Sequence, residues 1–325
     1  FGSSSVSIRV FLLPHLPIFL SATMSLDWPG LLAWSTKYHD GTKPSEFKVM
    51  TAEDREFLEK AMEEAFGQIE DPNQVMAEAI AQIKSPERTE ASITTALEIL
   101  DRSCDDPDCA RNAEKLDGVQ PLLDLLGTQG PVLRMRTLEI LALFFSNNTH
   151  IQEAGIRRGA VPLFLSLIRG SPAGSDERNK AFRTLVALIR KVEAAEESFL
   201  RETDGVAVLV GCMSLDELPA LQEKAASFVR SLGGDSRLRP EDVGSLAPAV
   251  GQLLQRAGDD TRNIQYRETL AQCACELAAA APAACPDSFA EGLTARLAGL
   301  AAASDPADVE QEKRALEDCK KLLGR

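Results

Sequence analysis

The chain is poor in the side chains that usually carry chemistry. Of its 325 residues three are histidine, His15, His39 and His150, in separate regions with no cysteine or carboxylate at ligand spacing, which argues against a zinc centre. There is no glycine-rich loop ending in Lys-Ser or Lys-Thr, no G-x-S-x-G elbow and no H-E-x-x-H, so no phosphate cradle, nucleophile elbow or zincin helix is encoded. Catalysis, a resident cofactor and a metal are therefore not expected. Cys104 and Cys109, separated by "DDPD", come closest to a metal pair, but no second pair stands near them and two helix-flanking thiols are the simpler reading.

Other scarcities narrow the class. Aromatics make up only 5% of the chain, while clusters such as "LLDLLG", "LVALI" and "CELAAAAPAA" are aliphatic and alanine-rich; this favours an all-α protein over a sheet, which would need alternating β-branched and aromatic residues. Basic residues are in deficit, 35 against 49 acidic for a net charge of -14, so nucleic-acid backbones and anionic membranes would be repelled and a protein is the expected partner. Seven cysteines, an odd number spread through apolar helical patterns, suit a reducing compartment. The one long apolar stretch, "VSIRVFLLPHLPIFLSAT" at 6–23, is interrupted by two prolines and is short for a membrane span of about 20 residues. It reads either as a secretory signal or as upstream sequence without function preceding an initiator Met24.

What the chain does have is repetition. "DGVQPLLDLL" begins at Asp117, "GAVPLFLSLI" at Gly159, "DGVAVLVGCM" at Asp204 and "LAPAVGQLL" at Leu246, so that Pro121, Pro162, Val208 and Pro248 align at steps of 41, 46 and 40. Between them Thr137, Leu141 and Phe144 recur as Ala181, Leu185 and Leu188 and again as Ala225, Val229 and Leu232, each set 44 residues on. Spacing i, i+4, i+7 puts each trio on one helix face, and the small first residue lets a neighbouring helix come close. A period in the low forties with three helical segments per unit predicts an armadillo-repeat or HEAT-type solenoid. Gly159 and Gly205 are expected to end helices, and Pro121 and Pro162 to stand in first turns. "KRALEDCKKLLG" places Ala315, Cys319 and Leu322 at the same spacing and predicts a terminal cap. The expected organisation is 1–23 without function, 24–50 a flexible N-terminal segment, 51–88 acidic helices opening at Thr51 and Asp54, and 89–325 the repeats with their cap.

Positive charge recurs within this acidic chain. Arg136, Lys180 and Lys224 each precede the small residue of a trio, as Arg314 does in the last unit, and Arg134, Arg178 and Gln222 stand two residues earlier. Any amphipathic helix needs polar residues there, but equivalent positions of stacked third helices line one surface, so a recurring cation becomes a basic stripe suited to an acidic protein face. Armadillo proteins that hold extended peptides carry a Trp and an Asn two and six residues after the small residue. Here those positions are Glu139, Arg183 and Ser227, then Leu143, Ala187 and Ser231, so the peptide-holding ladder is missing.

"LLAWSTKYHDGTKP" followed by "TAEDREFLEKAM" resembles the N-terminal region of the armadillo-type nucleotide exchange factors of DnaK-type (seventy-kilodalton) heat-shock chaperones, through Leu31, Leu32, Trp34, Ser35, Asp40, Gly41, Thr42 and Pro44, with Ala33 in place of the usual Lys. "CARNAEKLDGVQPLLDLL" is similar to the family at Ala110, Gly118, Pro121, Leu122 and Leu123 but departs at Arg111 and Asn112. Arg178, Lys180, Gln222 and Lys224 match its basic-x-Lys/Gln-Ala pattern, while Glu223 stands where Arg is frequent; the likeness covers residues 26 to 235. The resemblance implies a monomeric co-chaperone in the cytosol that grips the ATPase domain of such a chaperone through Arg134, Arg136, Arg178, Lys180 and Lys224, accelerates ADP release, and promotes client release through Leu31, Leu32 and Trp34. The alternative for the last three is docking on the chain's own helices. Two further readings stay open: an armadillo scaffold or transport adaptor without effect on nucleotide, and a related factor of the endoplasmic reticulum lumen, for which "NNT" at Asn147 would be a glycosylation acceptor.

Overall fold

A computed structural model describes residues 28–38, 50–66, 72–103, 107–128, 130–256, 263–301 and 309–324, and among these every regular element is helical. The chain divides after Asp71 into two compact units. In the first, α1 (Trp28–Tyr38) touches α2 (Ala52–Phe66). Helix α2 starts where the capping pattern predicts: the Asp54 amide donates to Thr51 Oγ1 at 3.2 Å, and the Thr51 hydroxyl donates to Asp54 Oδ2 at 2.5 Å. Of the stretch expected to be a flexible release segment, α1 is described; residues 1–27 and 39–49 lie outside the described residues.

The second unit, Pro72–Arg325, is a stack of repeats. It opens with a hairpin of α3 (Pro72–Lys84) and α4 (Glu90–Ser103), which packs on the helices of the repeat that follows. Helix α4 is started by a reciprocal capping box, Ser92 N to Thr89 Oγ1 at 3.1 Å and Thr89 N to Ser92 Oγ at 2.9 Å. Three-helix repeats follow: α5 (Pro107–Lys115), α6 (Val119–Thr128) and α7 (Pro131–Phe145); α8 (Thr149–Arg157), α9 (Ala160–Gly170) and α10 (Asp176–Ile189); α11 (Glu193–Glu202), α12 (Gly205–Cys212) and α13 (Pro219–Gly234). Then come two hairpins, α14 (Pro240–Arg256) with α15 (Ile264–Ala280) and α16 (Asp287–Ala301) with α17 (Glu310–Leu322). The fourth repeat has fused its first two helices, which leaves Pro248 inside α14 instead of in a first turn.

The last helices of the units form one ladder, α4 on α7, α7 on α10, α10 on α13, α13 on α15 and α15 on α17. All nine residues of the repeated trios are buried in it, from Thr137, Leu141 and Phe144 through Ala181, Leu185 and Leu188 to Ala225, Val229 and Leu232. Helices α10 and α13 have fewer close backbone approaches than α7 with α10 or α13 with α15. Polar side chains bridge neighbouring units about one period apart: the Thr184 hydroxyl donates to Leu138 O at 2.9 Å and the Tyr266 hydroxyl to Gln222 Oε1 at 2.7 Å.

The turns between first and second helices show a regularity that glycine alone does not mark. The left-handed residue is Asp117 (φ 54°), Gly159 (φ 77°) and Asp204 (φ 54°) in successive repeats. Gly205, expected to end a helix, instead begins α12, and it is small because a Cβ there would stand 2.3 Å from Phe199 O. At the C-terminal end Cys319 is buried and Ala315 partly so, but Leu322 is exposed and Leu316 takes its inward place. A buried cluster ties this cap down: Arg296 of α16 donates Nε to Glu312 Oε1 at 2.5 Å and Nη2 to Oε2 at 3.0 Å, with Arg267 Nη1 of α15 at 3.7 Å from Glu312 Oε2.

Gly159 has no atom within 4 Å of an added Cβ, so Gly159→Ala is expected to cost only the left-handed backbone, about 1 kcal/mol. Gly205→Ala must displace backbone and is expected to cost about 2 kcal/mol or more; urea unfolding midpoints compare the two. Glu312→Ala leaves two buried guanidinium groups without their carboxylate and is expected to cost roughly 3–5 kcal/mol in the same assay.

Candidate functional site: the cationic face of the third-helix ladder

The recurrent cations divide into two groups. Arg134 and Arg178 serve the joints between units. Arg134 Nε lies 2.6 Å from Glu177 Oε1 on the next third helix, and Arg178 Nε lies 2.7 Å from Glu217 Oε1, whose carboxylate also accepts the Gly174 amide at 2.8 Å. Arg178 further donates Nη1 to Ile168 O at 3.2 Å, and its side chain is largely covered. Gln222 continues this column as the acceptor for Tyr266. These residues set the spacing of the ladder.

The second group faces outward and is contiguous. Arg136 Nη1 stands 3.6 Å from Glu139 Oε2, and Lys180 of the next repeat donates to the other oxygen of the same carboxylate. Glu139, Lys180 and Arg183 line one pocket of 320 Å³ between α7 and α10, together with Leu143, an exposed leucine, and Asn179. The Asn179 Oδ1 is buried and accepts no hydrogen bond among the described residues. Lys224 on α13 is half-buried; desolvation holds its ammonium below the usual lysine range, and the positive charges of Arg183 and Arg190 push in the same direction. Among the described residues it has no hydrogen bond or ion pair. Arg136, Lys180 and Lys224 thus belong to one run of charge across three repeats, with Glu139 as a counter-charge near one end.

Sequence reasoning did not pick out Arg183, Arg190 or Glu139 as part of this run. Arg183 follows Lys180 by three residues, the spacing that puts two side chains on one helix face, and this was the available signal. For the N-terminal segment, Leu32 is exposed and Trp34 partly covered; the side chain of Leu31 lies outside the described residues, as does the Cys104 and Cys109 pair. Among the described residues no group of three or more His, Cys, Asp or Glu could hold a metal ion, and no helix is long and apolar enough to cross a membrane. Cys212, Cys273, Cys275, Cys285 and Cys319 are free thiols, and burial pushes Cys212, Cys273 and Cys319 up to about 12, so they stay protonated and unreactive near neutrality.

Lys224 makes the face costly to maintain. With its folded-state value lowered from 10.5, the unfolded chain binds more protons between the two values, and stability rises with pH through that interval. Lys224→Met is therefore expected to raise the thermal midpoint at pH 7, and the gain should shrink as pH approaches 10.5; scanning calorimetry across that range checks the sign.

No protein-family model matches the sequence, and no curated protein matches it. Solved structures do. An engineered protein of the Northeast Structural Genomics Consortium is 18% identical, with 76% of this chain and 97% of that one covered at a TM-score of 0.60. A designed armadillo repeat protein in complex with a (KR)4 peptide is 16% identical over 75% of this chain and 99% of its own, at 0.57. Computationally designed armadillo repeat proteins for modular peptide recognition are 17% identical over 75% and 99%, also at 0.57. Such identities speak to fold alone. With the helix ladder and the three-helix repeats, they establish the chain as an armadillo-type helical-repeat solenoid.

Proposed function

We propose that this protein is a co-chaperone that binds the ATPase domain of a DnaK-type heat-shock chaperone and accelerates ADP release, working in the cytosol. The observation that carries the reading is the outward run of cations, Arg136, Lys180, Arg183 and Lys224, crossing three repeats of an otherwise acidic chain. It supplies a surface for an acidic protein face of matching length, and the N-terminal resemblance names the partner class. A rigid ladder that prefers the nucleotide-free shape of its partner must weaken ADP binding by the same factor by which ADP weakens the complex; no bond is made or broken. A tenfold coupling corresponds to about 1.4 kcal/mol, within reach of a few desolvated charge contacts.

An adaptor for extended peptides is the second reading, favoured only by the peptide complex of the designed relative. That peptide is cationic, whereas the face here presents Lys180, Arg183 and Lys224. Repulsion would disfavour the same ligand class.

Stopped-flow release of fluorescent ADP from a DnaK-type chaperone is expected to accelerate at least tenfold with the wild-type protein at saturation and to return towards the basal rate with Lys180→Glu and Lys224→Glu combined. An unchanged rate with the wild type overturns the proposal.

A further inference from the structure

Equivalent joints of the third-helix ladder differ in charge. Between α7 and α10, Glu139 answers two cations: Arg136 Nη1 stands 3.6 Å from its Oε2, and Lys180 donates to its Oε1. One period of 44 residues later the same three positions hold Lys180, Arg183 and Lys224. Arg183 thus stands in the place of the bridging carboxylate, and the joint between α10 and α13 gathers cations where its neighbour has a closed salt bridge.

Nothing among the described residues neutralises them. The side chains of Arg183, of Arg190 at the end of α10 and of Lys224 on α13 make no hydrogen bond or ion pair there. Other cations of the same two helices are held: Arg178 by Glu217 at 2.7 Å, Lys180 by Glu139, and Arg230 by the side-chain oxygen of Gln272. Lys224 is half-buried, and the charges that act on it are those of Arg183 and Arg190, so the three groups share one field. A partly desolvated cation beside two others is unfavourable until an anion joins them.

The closed joint sets the scale, one carboxylate for two cations. Three cations call for more negative charge than a single carboxylate brings. A phosphate group carries about −1.5 to −2 at pH 7 and has three strong acceptor oxygens, and each guanidinium fork can engage two of them together.

We infer that Arg183, Arg190 and Lys224 form a phosphate-binding site at the joint of α10 with α13. The inference goes beyond the chaperone reading and does not need it, because the ligand is an anion that this chain binds alone. The same chemistry can come from a free phosphate compound or from a phosphorylated serine or threonine of a protein partner.

The test is isothermal titration calorimetry of the full chain at pH 7 and constant ionic strength. The probes are inorganic phosphate, acetate, and the peptide Gly-Gly-Ser-Gly-Gly with and without phosphate on its serine. One-site binding of phosphate is expected, at least tenfold tighter than acetate. Lys224→Met and Arg183→Gln should each weaken it at least tenfold, and Arg157→Gln, on another face of the repeat, should not change it. Arg183→Glu restores the carboxylate found at Glu139; it is expected to raise the thermal midpoint while abolishing phosphate binding, so that the loss coincides with a more stable fold. A phosphopeptide at least tenfold tighter than inorganic phosphate, with the unphosphorylated peptide silent, assigns the site to a phosphorylated protein, whereas equal affinities assign it to a free phosphate compound. Absence of saturable phosphate binding, affinity no better than for acetate, or binding that survives Arg183→Glu overturns the inference.

Discussion

Everything in the larger unit depends on contacts made one repeat apart. A three-helix repeat cannot bury its apolar stripe by itself, so each third helix leans on the next, and the small residue opening each trio, Thr137, Ala181 or Ala225, sets how closely they approach. The polar contacts obey the same spacing: Arg134 to Glu177, Lys180 to Glu139, Lys191 to Asp235 at 2.8 Å, and Arg237 to Glu193 all join neighbouring units. Most of these pairs are exposed and individually weak. Their role is to fix register, because a sliding error between repeats would break several together.

This periodicity explains what was legible in the sequence. Helical class, repeat length and all nine trio positions follow from apolar spacing, because the same face is buried every time. Where the period breaks, legibility ends. The fusion of first and second helices in α14 left Pro248 in an aligned position with a different structural role, and Leu322 keeps the inward spacing yet is exposed. Gly205 was misassigned because a glycine kept for close approach to Phe199 looks the same in one sequence as a glycine kept for a left-handed turn.

The candidate site was legible as a column and illegible as a surface. Residues at one repeat position share a helix face, but burial of the stem and the choice of partner differ from repeat to repeat. Arg178 is drawn down to the buried Glu217, whereas Lys180, two residues later, reaches Glu139 and stays at the surface. Two residues on a helix point about 200° apart, so the two cations answer to different neighbours.

The joint of α10 with α13 has fewer close backbone approaches than the joints on either side of it. Lys191 and Asp235 span that junction from outside, and Lys224 sits near it without a partner among the described residues. A protein lying across Lys180 and Lys224 would touch both sides of this joint, so the curvature that the array holds there becomes part of what it selects.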